Sequence, residues 1–187
     1  KGRYRQFNQI NFEIFGTDDY LADFELIFIA NEILKSLLPN NNFELHLNSL
    51  GSKVNLAKYK SELSKYFQDK NQFLTEESKE KIYSNPLRIL DSKHNEDQEV
   101  CDLAPRINEY LDQDFKNHFE RLKKALKLCN IKYKENHKLV RGLDYYCSTV
   151  FEFKTNDIGS QNTLLGGGRY DGLIGALGGP NIPGIGW

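Results

Sequence analysis

Methionine is absent from this 187-residue sequence, tryptophan occurs once, cysteine three times and proline five times. Cys101, Cys129 and Cys147 stand far apart with no paired ligand spacing, which argues against a zinc site and against a disulfide-stapled secreted fold. Reduced thiols in a cytoplasmic protein are the expectation. No apolar run is long enough to span a bilayer, and the first residues lack the pattern of a signal peptide, so no membrane partner is expected. Excess charge is missing too: at a formal net charge of -1, any nucleic-acid contact must come from a local patch. The chain opens at Lys1 in the middle of a motif and is expected to be a piece of a longer protein. What is present, 39% hydrophobic and 12% aromatic residues, suffices for one sizeable core or two small ones.

The most informative stretch is Leu139-Val140-Arg141-Gly142-Leu143-Asp144-Tyr145-Tyr146. It combines a permanent cation, a glycine, a carboxylate and two adjacent phenols. The guanidinium of Arg141 is suited to gripping a carboxylate or phosphate with paired hydrogen bonds. Neighbouring tyrosines on a strand point to opposite faces, so a bend is needed for both to reach one ligand. On composition alone, a buried Arg–Asp pair beside two core tyrosines explains the stretch equally well.

A strand is predicted over residues 5–15. Ile10, Phe12 and Ile14 fall on an apolar back; Phe7, Gln9, Asn11 and Glu13 fall on a polar front. At ~3.3 Å per residue, Phe7 to Glu13 would span roughly 20 Å, enough for one strand to floor an extended ligand. A half-buried strand facing water would carry similar polar residues. Gly16 ends the strand, and Thr17, Asp18 and Asp19 offer caps for a helix with Leu21, Phe24, Ile27, Phe28, Leu34, Leu37 and Leu38 inward. Phe43, Leu45 and Leu47 alternate with polar neighbours as a second strand, on which His46 is assigned no role.

From Ser52 lysine-rich helical segments take over: 52–69 with Leu56, Tyr59, Leu63 and Phe67 inward, 75–84 opened by Thr75, a short piece after Pro86, and 112–129 with Phe115, Phe119, Leu122 and Leu126 inward. Short strands are expected over 131–135 and 161–165, with a longer one over 148–154. Gly166, Gly167 and Gly168 then permit close ligand approach and positive φ, ahead of a helical piece over 174–177. Neither a Walker loop nor a complete Rossmann fingerprint is present, which discounts both nucleotide folds.

The Leu139–Tyr146 stretch resembles the histidine-specific signature of the histidyl-tRNA synthetases, a class II aminoacyl-tRNA synthetase family. Lys1-Gly2-Arg3-Tyr4-Arg5-Gln6-Phe7-Asn8-Gln9-Ile10-Asn11-Phe12-Glu13 resembles the later part of that family's motif 2. Gly166-Gly167-Gly168-Arg169-Tyr170-Asp171-Gly172-Leu173 resembles its glycine-rich segment before motif 3, and Asn85-Pro86-Leu87-Arg88-Ile89-Leu90-Asp91-Ser92 matches a further family stretch. The resemblance implies an α+β fold: a class II antiparallel sheet flanked by helices, with 1–51 and 139–187 as catalytic core and 52–138 as a helical insertion. It implies histidine–tRNA ligase activity, with ATP as substrate, magnesium accompanying it, tRNA(His) and histidine as partners, and a homodimeric full-length parent in the cytoplasm.

Carried over by position, Arg141 would be catalytic, touching the α-phosphate and the histidine carboxylate. Gln9, Glu13, Tyr145, Tyr146 and Tyr170 would surround the histidine, Arg3 would contact ATP phosphates and Phe7 would stack on adenine. No metal ligand is assigned. Motif 1, the leading arginine of motif 2, the motif 3 arginine and the anticodon-binding domain are not in this sequence, so the segment alone is expected to be inactive. The family's insertion leans on the acceptor end of the tRNA. The basic run Arg121, Lys123, Lys124, Lys127, Lys132, Lys134 and Lys138 fits phosphate contacts there, although a charge run is more often a solvated face. The alternative is a non-catalytic histidine-binding paralogue that regulates ATP phosphoribosyltransferase. That paralogue usually lacks the insertion and has a degraded Arg-Gly-Leu-Asp-Tyr-Tyr motif.

Overall fold

The computed structural model describes residues 5–38, 40, 42–157 and 162–187. Its strands are β1 (Glu13–Phe15), β2 (Glu44–Ser49), β3 (Tyr133–Glu135), β4 (Cys147–Lys154), β5 (Thr163–Arg169) and β6 (Gly184–Gly186). Its α-helices are α1 (Tyr20–Leu37), α2 (Lys53–Asp69), α3 (Glu76–Lys79), α4 (Lys81–Ser84), α5 (Leu87–Leu90), α6 (Asn95–Asp102), α7 (Gln113–Leu128) and α8 (Leu173–Ala176). One sheet runs in the order β1-β6-β5-β4-β2-β3. Every pairing is antiparallel except β2 with β3, which is parallel at the edge. The expected class holds with that exception. No helix among the described residues is long and apolar enough to cross a membrane.

α1 starts where Asp19 accepts a hydrogen bond from Leu21 N at 2.8 Å, relieving one unpaired amide of the first turn. Its buried stripe is Ala22, Asp23, Leu26, Ile27, Ala30, Asn31 and Leu34. Leu21, Phe28 and Leu37, expected inward, are exposed. The helix is rotated because Asp23 faces inward, paired with the buried Arg169 at 2.7 Å, and this polar bond sets the face. α2 follows the predicted spacing: Leu56, Tyr59, Leu63 and Phe67 are all buried, each contributing about 1.5–3 kcal/mol of burial. Ser52 and Asn55 form a reciprocal capping box at its start. Thr75 caps α3 as expected. α6 lacks a sequence prediction, because its only buried apolar residues are Val100 and Cys101.

Two hydrophobic clusters fill the interior. One is built on α2 and the short helices, from Leu56 to Leu111, and reaches Leu50, Leu139 and Val150 at the sheet. The other joins α1, β2, β4, β6 and α7, with Leu122 and Leu126 beside Ile27 and Phe153. α7 thus lies against α1, and β3 extends the sheet beside β2, although both fall inside residues 52–138.

Two strand expectations change. Backbone pairing in the first stretch begins only at Phe12, which exchanges hydrogen bonds with Trp187 at 2.8 and 3.0 Å. Residues 7–11 lie outside the ladder, and Ile10, expected in the apolar back, is 63% exposed. The triple glycine is mid-strand in β5, not a loop: none of Gly166, Gly167 and Gly168 has positive φ. Space is the reason. A Cβ on Gly168 would come within 2.7 Å of the Thr149 carbonyl, and one on Gly167 within 2.8 Å of the Phe151 ring. β6, within the glycine- and proline-rich tail, wedges between β1 and β5 and closes the sheet around the site.

Candidate active site

β1, β6 and the end of β5 place Glu13, Gly186 and Tyr170 side by side, since Glu13 opposes Gly186 and Arg169 opposes Ile185. The missing side chain at Gly186 leaves room for the Glu13 carboxylate, which a Cβ would strike. Tyr170 Oη donates a hydrogen bond to Glu13 Oε2. Burial, and then that bond to an anion, push the Tyr170 phenol well above its ordinary range, so it stays protonated and keeps donating.

Tyr145 and Tyr146 reach the same place because the chain bends ahead of β4. Residues 142–145 are turn and bend, Ser148 takes φ +46°, and the β4–β5 register shifts between Cys147 and Val150. Such a bulge re-aims side chains. The two phenols stack with centroids 4.7 Å apart, and each meets Tyr170 edge-on, at 6.0 and 6.5 Å. Burial and its neighbour Tyr146 also raise the Tyr145 phenol. Cys147, next in the chain, is pushed up to about 11 by burial and the nearby Asp171, so its thiol is no nucleophile near neutral pH.

Glu13, Tyr145, Tyr146, Tyr170 and Gly186 line one cavity of about 550 Å³, together with Gln9, Asn11, Phe15, Gly166, Ile174 and Trp187. Gln9 holds Asn11 at 2.7 Å, and Trp187 is fixed by its indole donating to Leu26 O at 3.0 Å. The cavity offers a carboxylate, two amides and three phenols on aromatic walls, a set that suits a small ring with two polar nitrogens. Gln9, Glu13, Tyr145, Tyr146 and Tyr170, all singled out in sequence, therefore converge. Arg141 stands at its edge, with its guanidinium against Gly166 and its Cζ 5.3 Å from the Tyr146 ring. Phe7 is 70% exposed and is not among the lining residues. Arg3 lies outside the described residues.

Sequence reading missed Arg169 and Glu152. Arg169 lay within a quoted motif without a role, yet it is 1% exposed and donates to Asp23 at 2.7 Å, Thr17 O at 3.0 Å, Asp19 O at 2.9 Å and Asp171 at 3.2 Å. His118 on α7 meets the other oxygen of Asp23 at 2.7 Å. This network anchors the residue before Tyr170 to α1 and α7. The only available signal was an arginine at the end of a glycine-rich strand. Glu152 pairs with Arg141 at 2.9 Å across a separation that no local pattern reveals.

On the other side of the Arg141–Gly142 turn is a hollow of about 270 Å³ lined by Lys81, Arg88, Lys93, His94 and Arg141, with Glu77 and Asp91. Arg88 donates to Gly142 O at 2.9 Å. Of the basic run, Lys123 is tied to Glu120 at 2.6 Å and Glu135 at 2.9 Å, Lys138 pairs with Asp102, and Arg121 lies 4.2 Å over the Tyr20 ring. Lys124, Lys127, Lys132 and Lys134 are exposed. Among the described residues no cluster of three or more His, Cys, Asp or Glu side chains is placed to hold a metal ion.

Comparison with known proteins gives a consistent result. The family model described as histidyl-tRNA synthetase matches residues 1–187. The histidine–tRNA ligase of Wolbachia pipientis wMel is 46% identical over 187 residues, covering 100% of this chain and 46% of its own length. The chloroplastic histidine–tRNA ligase of Gracilaria tenuistipitata var. liui is 48% identical over 186 residues, covering 100% of this chain and 44% of its own. The chain thus spans under half the length of these relatives. The apo crystal structure of S. aureus histidyl-tRNA synthetase superposes with a TM-score of 0.73 at 32% identity, over 98% of this chain and 44% of that one.

Proposed function

The chain belongs to the histidyl-tRNA synthetase family, and from that membership we propose that its cavity binds histidine for ATP-dependent activation and transfer to tRNA(His). The observation that carries this reading is the convergence of Gln9, Glu13, Tyr145, Tyr146 and Tyr170 on one cavity with Arg141 at its edge. Glu13 accepts from one imidazole N–H and Tyr146 meets the other ring nitrogen, so an amino acid without the ring leaves polar groups unpaired. A site built in this way rejects analogues strongly. Tyr145 and Tyr170 wall the ring, and Gln9 lies on the histidine side.

In the first step a histidine carboxylate oxygen attacks the α-phosphorus of ATP, the bond to the β-phosphate oxygen breaks and pyrophosphate leaves. Arg141 aligns the two anions and offsets the negative charge that builds between them. In the second step a hydroxyl at the tRNA 3′ end attacks the acyl carbon and AMP leaves. Arg3 and Phe7 are proposed as ATP contacts. Magnesium accompanying ATP would neutralise phosphate charge.

The proposed division is a catalytic core of 1–51 and 139–187 with a helical insertion over 52–138. Exposed Lys124, Lys127, Lys132 and Lys134, with the cationic hollow beside Arg141, are the proposed contacts to tRNA phosphates. A homodimeric, cytoplasmic parent completes the proposal.

The test is histidine- and ATP-dependent pyrophosphate exchange by the full-length parent beside its Arg141→Ala variant. Histidine-selective exchange that falls about 100-fold or more in the variant is the expected result. Histidine binding without exchange would overturn the activity.

A further inference from the structure

A long arginine side chain at a cavity edge must lose rotamer entropy before it can align anything. In this fold that ordering is built in ahead of any ligand. Glu152 Oε1 accepts from Arg141 Nη1 at 2.9 Å. Its other oxygen, Oε2, lies 3.0 Å from Lys154 Nζ, so the carboxylate is held by a cation at each end. Gly166 is the register partner of Glu152 across β4 and β5, and the guanidinium rests against it, in the volume that a Cβ would fill. The Tyr146 ring closes the third side, 5.3 Å from Cζ.

The geometry divides the guanidinium into two parts. Nη1 is committed to Glu152, Nε is buried without a partner, and Nη2 donates to no group among the described residues. A guanidinium presents its donors as a planar fork, so one part can be anchored while another grips a second anion. The side chains of Arg141 and Glu152 are 20% and 14% exposed, and Arg141 borders the cavity through Gly166 and Tyr146 while Glu152 stands behind it.

We propose that Glu152 is a positioning residue for histidine activation: acting through Arg141, it seats the guanidinium over Gly166 so that the uncommitted Nη2 donors meet the reacting anions already aligned. The inference rests on the role of Arg141 given above. It also predicts a separation of kinetic constants. The Glu152 charge tempers the pull of Arg141 on the bound carboxylate while fixing its direction. Removing that charge therefore slows the chemical step without weakening histidine binding.

The experiment is a double-mutant cycle in the full-length parent, reading single-turnover adenylate formation per active site. Glu152→Gln is expected to slow the step about tenfold in the wild-type background, with no rise in histidine KM, and less than about twofold in an Arg141→Ala background. Glu152→Asp, which restores the charge, recovers part of the rate. Equal losses in both backgrounds, or no loss in the first, would overturn the proposal. If the wild-type parent shows no histidine-dependent exchange, the activity reading falls, and a crystal structure of the Glu152→Gln parent judges the positioning alone. Arg141 displaced from Gly166 supports it; Arg141 still seated there overturns it.

Discussion

Gly186 has no chemistry of its own, yet the site depends on it, because the Glu13 carboxylate fills the space its side chain would take. Gly186→Ala would push that carboxylate off the Tyr170 hydroxyl and out of reach of the imidazole. The affected atoms are the flexible end of an exposed side chain, so the fold is expected to tolerate the change. The expected outcome in the parent is a rise of about tenfold or more in histidine KM, with ATP KM nearly unchanged and thermal stability little altered. A KM within twofold of wild type would show that Glu13 does not read the ring. Individual site residues were legible through the family resemblance of their motifs, because chemical type alone left Arg141, Tyr145 and Tyr146 equally well explained as a buried ion pair beside core tyrosines. Glu152 was not, since an acidic residue on a strand looks like any solvated position until the register sets it across from Gly166.

Elements were legible where apolar spacing dominates and illegible where a polar bond fixes the face. α2 buries what its periodicity says, whereas α1 is turned by the Asp23–Arg169 pair, which propensity cannot see. The short helices show a third case, since they are too brief to be stable alone. Asp97 on α6 ties them together: Thr75 N and Oγ1 donate to it, both at 2.9 Å, as do Ser78 Oγ at 2.7 Å and Ser92 Oγ at 2.6 Å. Burial pushes this carboxyl upward, but the hydrogen bonds from Ser92, Ser78 and Thr75 outweigh it and hold the group below its ordinary value. A depressed folded-state value means that the unfolded chain binds the proton more tightly. The contribution is therefore complete above about pH 4 and is lost as the pH falls further, through the folded value. Asp97→Ala is expected to destabilise the parent by about 3 kcal/mol at neutral pH, read by chemical denaturation, and to flatten the acid limb of its stability curve. An unchanged acid limb would mean that Asp97 is not the group titrating there.

At the scale of the whole molecule, the change of texture at Ser52 marked the start of the helical cluster, because charged lysines and helical spacing begin there together. The same texture runs on to Lys138, but it stops being a guide to packing at α7, whose Leu122 and Leu126 join the core of α1 and the sheet. The helical cluster meets the sheet along a seam of Leu50, Leu139 and Val150. Leu139 is two residues before Arg141, so this seam is also where the helical part meets the catalytic stretch. Two cores joined by a narrow seam should open separately, since local unfolding follows contiguous packed units. Leu63, fully buried in the helical cluster, tests this. Leu63→Ala is expected to cost about 2–5 kcal/mol within that cluster. In native-state hydrogen exchange of the parent, amides of residues 53–111 should lose protection by a comparable free energy, while those of α1, β4 and β5 keep most of theirs. Equal loss in both sets would mean that the seam couples the two cores into one cooperative unit, and the helical part could then not move independently of the histidine cavity.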